Sequence, residues 1–158
     1  MKFKYTNTGY TENVCNDFYG VYFGESAVSR KPEKLTYLTI EIILNAKVNY
    51  LENKELTTVY NEKKLTGFDA YEVFLDGASA FIEITNPNTT TNKELVIFRD
   101  SFGSSLTPLL IEGYSKITVI DNRYIRSDDY LKLIDFKEQD VLFLYSTLIV
   151  NDSGSLKN

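Results

Sequence analysis

Residues 95–105 have the sequence LVIFRDSFGSS, and this stretch decides the fold class. Its first four residues are continuously apolar, which is typical of a strand buried on both faces of a parallel sheet. A polar turn follows at residues 99–101, and the mostly apolar residues 106–111 predict a helix that ends near Gly113. A buried strand, a tight turn and a helix in this order predict the beginning of a right-handed crossover.

The same pattern repeats towards the C-terminus. Residues 117–120 and 141–145 are two more apolar, strand-like runs, and residues 128–134 predict a short helix between them. Strands that alternate with helices over short links indicate a parallel sheet covered by helices. We therefore predict an α/β fold, with a doubly wound, flavodoxin-like parallel sheet over residues 80–150. The whole chain, residues 1–158, is expected to form one domain.

The sequence before residue 80 is less regular. Residues 48–51 and 56–60 are strand-like and flank a polar turn, so they predict a small β-hairpin beside the α/β part. The other predictions are an aromatic loop at 17–24, a mixed helical and extended segment at 34–45, a short helix at 69–75, a strand at 80–85 and a polar turn at 86–92.

The amino-acid composition excludes several classes of protein. The chain has 158 residues, with 17 basic and 22 acidic side chains, one cysteine, and neither histidine nor tryptophan. Without histidine, a self-contained Ser-His-Asp or Cys-His hydrolase and a histidine-ligated zinc site are unavailable. The formal net charge of −5 argues against nucleic-acid binding, which needs clustered basic residues. The lone cysteine, Cys15, cannot form an internal disulfide.

The sequence also bears on location and cofactors. No stretch approaches the roughly 20 apolar residues that cross a bilayer, and residues 1–10 lack the apolar core of a signal peptide. As written, the chain is expected to remain in the cytoplasm where it is made, without a membrane segment. No calcium-loop, dinucleotide or phosphate-loop motif occurs, so we expect neither a metal nor a cofactor.

Polar residues follow each of the three predicted parallel strands. Ligands in such sheets collect at the carboxyl ends of the strands, so these residues are expected to meet at one edge. The residues predicted to line a ligand pocket there are Asp100, Gly103, Asp121, Arg123, Tyr145 and Ser146. The 12 tyrosines suit a saccharide or acyl ligand, although aromatic packing in the core explains most of them.

Ser101 lies on the predicted strand-to-helix turn and is the candidate nucleophile. Its hydroxyl would lie beside free amides at the start of the helix, which can stabilise the oxyanion that forms when a serine attacks an ester. Gly103 would let the backbone approach a ligand closely. The alternative is that Asp100 or Ser101 only caps the helix, because Asp and Ser are preferred cap residues.

The sequence offers Ser101 no adequate base. The candidates are Asp76, Asp100, Asp121 and a lysine. A free carboxylate, with a pKa near ~4, is a weak base towards a hydroxyl proton. No Ser-x-x-Lys spacing begins at Ser101, because position 104 is serine. The sequence therefore predicts a catalytic site that is incomplete in this chain alone.

Residues 95–110 and 113–124 together resemble the C-terminal half of the DHHW family, which belongs with SGNH-hydrolase-like proteins related to the alginate O-acetylation factors. Residues 17–20, 71–77 and 140–145 match in the same order, so the resemblance covers residues 15–150. It is carried by the Asp-Ser-Phe segment with its following proline and by the Ile-Asp-x-Arg-Tyr strand end.

The resemblance implies an SGNH-like domain, shortened at its N-terminus, in which Ser101 corresponds to the nucleophile. The family chemistry would be carbohydrate ester hydrolysis or O-acetyl transfer at the cell envelope. An Asp-His-His-Trp motif supplies the acid and base in that family, and members carry an export or membrane segment; this sequence has neither. Asp76 stands where relatives often have one glycine of a Gly-Gly pair.

Three hypotheses about function follow. The first is a remnant SGNH-like domain with Ser101 in place and no base, hence silent or nearly so as an esterase or O-acetyltransferase. The second is a binding module that keeps the strand-end pocket for a cell-envelope saccharide or an acyl group. The third is a homo-oligomer that assembles through an exposed sheet edge.

Overall fold

The fold is built on a central β-sheet with a second, two-stranded sheet beside it. The computed structural model describes residues 9–20, 31–52 and 54–157. Of the aromatic loop predicted at 17–24, residues 21–24 lie outside the described residues. The strands are β1 (Thr11–Phe18), β2 (Glu33–Thr39), β3 (Lys47–Tyr50), β4 (Phe81–Thr85), β5 (Glu94–Arg99), β6 (Lys116–Ile120) and β7 (Asp140–Leu144).

The helices of the described residues are short. The α-helices are α1 (Glu41–Asn45), α2 (Gly103–Leu110), α3 (Ser127–Tyr130) and α4 (Thr147–Asn151), and the 3₁₀ helices are Glu62–Thr66, Ala70–Val73, Ile111–Gly113 and Ser153–Ser155. No helix in the described ranges has the length and apolar composition needed to cross a membrane.

The three strands predicted to be parallel are parallel. β5 lies between β6 and β7, and Ile97 is opposite Val119 in β6 and Leu142 in β7. α2 connects β5 to β6, and α3 connects β6 to β7. The predicted strand–helix–strand–helix–strand arrangement of residues 95–145 is therefore confirmed.

The complete sheet is mixed, so the prediction of a purely parallel sheet is wrong. β4 is antiparallel to β6, and β3 is antiparallel to β4, which gives the strand order β3-β4-β6-β5-β7. The connection from β4 to β5 covers only residues 86–93. That length is too short for the crossover of a dozen or more residues that joins parallel strands.

The predicted hairpin of residues 48–60 is also wrong. Its first half forms β3, but β3 pairs with β4, where Val48 is opposite Ile84. Pairing with β4 buries Val48 and Tyr50, which are 4% and 2% exposed, against the main core. An isolated hairpin gives no such burial, and two-stranded hairpins are marginally stable alone. The small antiparallel sheet is formed instead by β1 and β2.

Apolar clusters cover both faces of the sheet. Side chains alternate along β5, so Leu95 and Ile97 belong to one cluster, whereas Val96 and Phe98 belong to the other. The 3₁₀ helix after α2 packs in the first cluster, and α3 packs against the second. Burial on both faces explains why residues 95–98 form a continuous apolar run.

The helix after β5 begins earlier than its apolar residues indicate. α2 starts at Gly103, and the small polar residues 103–105 already form its first turn. Thr107 Oγ1 donates a hydrogen bond to the Gly103 carbonyl at 2.8 Å within the helix. Because of this early start, the N-terminal end of α2 lies directly after the turn that carries Ser101.

Three consecutive residues adopt left-handed backbone conformations before β4. Leu75, Asp76 and Gly77 have φ angles of 54°, 54° and 76°. A bulky residue such as Leu75 rarely adopts this conformation, and its fully buried side chain holds it there. Asp76 accepts a hydrogen bond from Asn61 Nδ2 at 2.7 Å and lies 3.6 Å from Lys54 Nζ.

Asp76→Gly is expected to be more stable than Asp76→Ala by about 1 kcal/mol, because glycine takes the left-handed conformation without a Cβ penalty. Both variants lose the carboxylate contacts with Asn61 and Lys54, so the difference isolates the backbone contribution. Urea unfolding of the two variants measures it. Equal free energies of unfolding would contradict the strain assigned to this turn.

Candidate functional site

The polar residues that follow the three parallel strands meet at one edge of the sheet. Asp100 Oδ2 accepts a hydrogen bond from the Ser146 amide at 2.7 Å, which joins the ends of β5 and β7. Arg99 Nη1 donates to Asp121 Oδ2 at 3.3 Å, which joins the ends of β5 and β6. The parallel register of these strands places their carboxyl ends together, as expected.

Ser101 is exposed in the turn between β5 and α2. Its carbonyl accepts hydrogen bonds from Tyr71 Oη at 3.0 Å and from the Ser104 amide at 3.1 Å. Among the described residues, no hydrogen bond reaches its Oγ. The backbone of Ser101 is thus fixed while its hydroxyl is open to a ligand.

The amides that follow Ser101 are occupied, contrary to the expectation that they are free. The Phe102 amide donates to Asp100 Oδ1 at 3.0 Å, and the Gly103 amide donates to the Asp100 carbonyl at 3.1 Å. Phe102 is the N-cap of α2 and makes no side-chain capping bond. Asp100, which is 2% exposed, therefore satisfies the Phe102 amide in the turn that leads into α2, as a capping aspartate does.

Asp121 is the centre of a buried charged cluster. It is fully buried and accepts hydrogen bonds from the backbone amide, Nε and Nη2 of Arg123, at 3.1, 2.9 and 2.7 Å. Burial lowers the pKa of the Arg99 guanidinium, and the charge of Asp121 opposes that shift. Hydrogen bonding to Asp121 raises the pKa of Arg123. Asp121 is thus committed to two guanidinium groups.

A pocket of about 440 Å³ opens beside Ser101. Its lining residues come from β1, the 3₁₀ helix Ala70–Val73 and its flanks, the left-handed turn, the start of α2 and the ends of β5 and β6. They are Phe18, Asp69, Tyr71, Glu72, Phe74, Gly77, Ala78, Arg99, Ser101, Phe102, Ser104, Arg123 and Tyr124. A larger depression of about 540 Å³ lies at the opposite, amino end of β5, and Glu94 with four residues of two loops line it. Of these two pockets, only the smaller one is lined by residues at the carboxyl ends of the parallel strands.

The structure places only part of the predicted site in this pocket. Ser101 and Arg123 line it, whereas Asp100, Gly103, Asp121, Tyr145 and Ser146 lie outside its lining. The sequence predicts Arg99 in the polar turn after β5 but not in the pocket lining, and it does not assign Tyr71 or Ser104 to the pocket. The one available signal for Arg99 was a charged residue that directly continues a fully apolar strand.

Gly103 and Tyr145 have other positions. A Cβ on Gly103 would lie 2.6 Å from Arg99 Cβ, so this glycine makes room for the Arg99 side chain rather than for a ligand. Tyr145 is partly buried against the cluster of Val96 and Phe98. Burial raises the pKa of Tyr145 to about 12, so its hydroxyl stays protonated at neutral pH and is no base.

The mixed α/β sheet, the serine on the turn after a central parallel strand and the adjoining pocket define an α/β domain with a strand-end site. The sequence of residues 2–120 of this chain matches the protein family described as DHHW protein. The chain belongs to the DHHW family. No curated protein matches it.

Solved structures share the fold at low sequence identity. A DHHW family protein from Eubacterium siraeum DSM 15702 superposes with a TM-score of 0.75 and 22% identity, over 97% of this chain and 55% of that one. Bacillus cereus PatB1 with a sulfonyl adduct gives a TM-score of 0.67 and 18% identity, over 99% of this chain and 52% of that one. A second structure of Bacillus cereus PatB1 gives a TM-score of 0.65 and 16% identity, over 99% of this chain and 53% of that one. The chain thus spans about half the length of these proteins.

Proposed function

We propose that Ser101 is the nucleophile of an SGNH-like acyl-transfer site that acts on carbohydrate esters by hydrolysis or O-acetyl transfer. The observation that carries this proposal is the open Ser101 hydroxyl at a pocket formed by the carboxyl ends of parallel strands. The sulfonyl adduct of PatB1, which shares the fold, supports it, because sulfonyl groups react with nucleophiles. In the reaction, Ser101 Oγ bonds to the acyl carbon, and the alcohol leaves with a proton.

The carboxylates around Ser101 are all engaged by other groups. In the pocket lining, Asp69 accepts the Tyr71 amide and Glu72 pairs with Lys64. Both carboxylates at the strand ends are buried and bound: Asp100 by two backbone amides and Asp121 by two arginines. The hydroxyl of Tyr145 is protonated. A serine without a base is a weak nucleophile. We therefore propose that this chain alone is catalytically silent and that a group from outside it activates Ser101.

Chemical rescue tests this proposal. The full chain is incubated with a sulfonyl fluoride, with and without imidazole as a small external base, and digested for mass spectrometry. We expect imidazole to speed sulfonylation of Ser101 several-fold, because it takes the hydroxyl proton as the O–S bond forms and fluoride leaves. The peptide that contains Ser155, which is exposed, serves as the internal control. Modification spread equally over exposed serines would show that Ser101 has no special reactivity.

A second candidate function, assembly through the sheet edge, is supported by β7. Within the described ranges this strand pairs only with β5, and its residues after Asp140 carry no charge. Val141 and Phe143 alternate along one face of β7 and are 47% and 68% exposed. An uncharged, exposed edge strand is a template for pairing with another strand. The proposed occupant is β7 of a second copy, in an antiparallel two-fold arrangement.

Sedimentation equilibrium at several protein concentrations tests this assembly. We expect a concentration-dependent dimer for the wild type and a monomer for Phe143→Glu, which places a charge at the shared edge. Leu44→Glu is the matched control, because Leu44 is 60% exposed on α1, away from β7. A wild-type monomer at all concentrations would rule out this function.

A further inference from the structure

The guanidinium of Arg99 is buried with one of its edges unused. Its side chain is 1% exposed. Nη1 donates to Asp121 Oδ2 at 3.3 Å and to the Asp100 carbonyl at 3.4 Å. Nε and Nη2 are buried and have no hydrogen-bond partner among the described residues. Buried donors without partners are rare in folded proteins, and each calls for an explanation.

The two unused donors lie on the same edge of the guanidinium. In arginine, the Nε–H and Nη2–H bonds run nearly parallel, in a fixed planar fork. This fork matches the two oxygens of a carboxylate, which accepts both hydrogen bonds at once. Nη1, on the other edge, holds Arg99 to Asp121 and fixes the direction of the fork.

Neither neighbouring carboxylate serves the unused edge. Asp121 is shared between Nη1 of Arg99 and the side chain of Arg123. Asp100 accepts the amides of Phe102 and Ser146 instead. Arg99 nevertheless contributes to the pocket that holds Ser101. The described residues thus supply no acceptor for the fork, and a ligand in the pocket can supply one.

We propose that this pocket binds a ligand that carries a carboxylate, whose two oxygens accept hydrogen bonds from Nε and Nη2 of Arg99. The inference rests on the same pocket as the proposed function but not on the reactivity of Ser101. Both donors are shielded from solvent, so binding must displace a side chain that covers them. Phe102 and Tyr124, which are 64% and 47% exposed, line this pocket and are candidates for that movement.

Calorimetric titration of the full chain at constant ionic strength tests the ligand class. The probes are glucuronate, glucose as its neutral match, acetate, and inorganic phosphate. We expect glucuronate or acetate to bind and glucose not to bind. Tighter binding of glucuronate than of acetate would identify a sugar acid as the source of the carboxylate. Equal binding of the two would identify a simple carboxylic acid as the source. Absence of heat with both carboxylates, or tighter binding of phosphate, would overturn the proposal.

Arg99→Lys tests the fork itself. Lysine retains the positive charge beside Asp121 but cannot offer two parallel donors, so carboxylate affinity should fall about tenfold or more. Arg126→Lys is the matched control, because the Arg126 side chain is 61% exposed and outside the pocket. Equal losses in both variants would contradict the proposal.

Nuclear magnetic resonance of the wild type gives an answer even if Arg99→Lys fails to fold. The Nε–H resonance of Arg99, assigned in ¹⁵N-labelled protein, should shift on addition of glucuronate or acetate and not of glucose. A resonance that stays in place while a carboxylate binds would place the ligand elsewhere and refute the assignment. This measurement involves no acyl donor, so its failure differs from a failure of the proposed reaction.

Discussion

Replacing Asp121 by asparagine should lower the free energy of unfolding by about 3–5 kcal/mol, the typical cost of removing one partner of a buried ion pair. Asparagine keeps the shape of the side chain but removes its charge. The guanidinium of Arg99, 1% exposed, would then remain buried without its carboxylate. Arg123, 23% exposed, can turn towards water and loses less.

Urea unfolding measures this effect, and Asp129→Asn is its matched control. Asp129 also pairs with a basic residue, Lys132, but its side chain is 57% exposed. Exposed ion pairs contribute about 0–1 kcal/mol, so this control should stay close to the wild type. A loss of similar size in the two variants would show that the cluster around Asp121 is not a determinant of stability.

Gly103→Ala should destabilise the protein by about 1–3 kcal/mol, which is the usual cost of forcing an extra methyl group into a packed site. Its Cβ would lie 2.6 Å from Cβ, 3.0 Å from Cγ and 3.3 Å from Cδ of Arg99. The clash involves the first atoms of that side chain, which are fixed by β5, so a rotamer change does not relieve it. Alanine at position 103 would also displace the Arg99 guanidinium.

Gly113→Ala provides the control for this substitution. A Cβ on Gly113 has no atom within 4 Å, and its backbone is not left-handed. Its stability should stay within about 0.5 kcal/mol of the wild type, as for most surface substitutions. Thermal unfolding of both variants makes the comparison. Equal melting temperatures would contradict the packing described around Arg99.

The parallel half of the fold could be predicted because local pattern and burial agree there. In residues 95–98, the side chains that point to either face of the sheet are apolar, and apolar clusters cover both faces of β5. β3 was assigned the wrong partner because its two buried residues, Val48 and Tyr50, alternate in the same way for a hairpin and for the edge of a larger sheet. The choice of β4 as its partner depends on a contact distant in sequence.

The site was predicted in part for a similar reason. Strand ends predict where polar groups meet, and Ser101 and Arg123 do line the pocket. The directions of individual side chains depend on packing. Packing turns the Asp100 carboxylate towards two backbone amides and the Asp121 carboxylate towards two guanidinium groups, so neither lines the pocket. The role of Gly103 could not be read from its backbone flexibility, because the space it leaves is filled by Arg99.

Turnover of an activated acetyl ester by the full chain tests the central claim, that Ser101 has the position of a nucleophile but no base in this chain. Release of p-nitrophenol from p-nitrophenyl acetate is followed at neutral pH for the wild type and for Ser101→Ala. We predict equal, near-background rates for both proteins. Wild-type turnover well above background that disappears in Ser101→Ala would contradict the account, because the chain would then contain its own base.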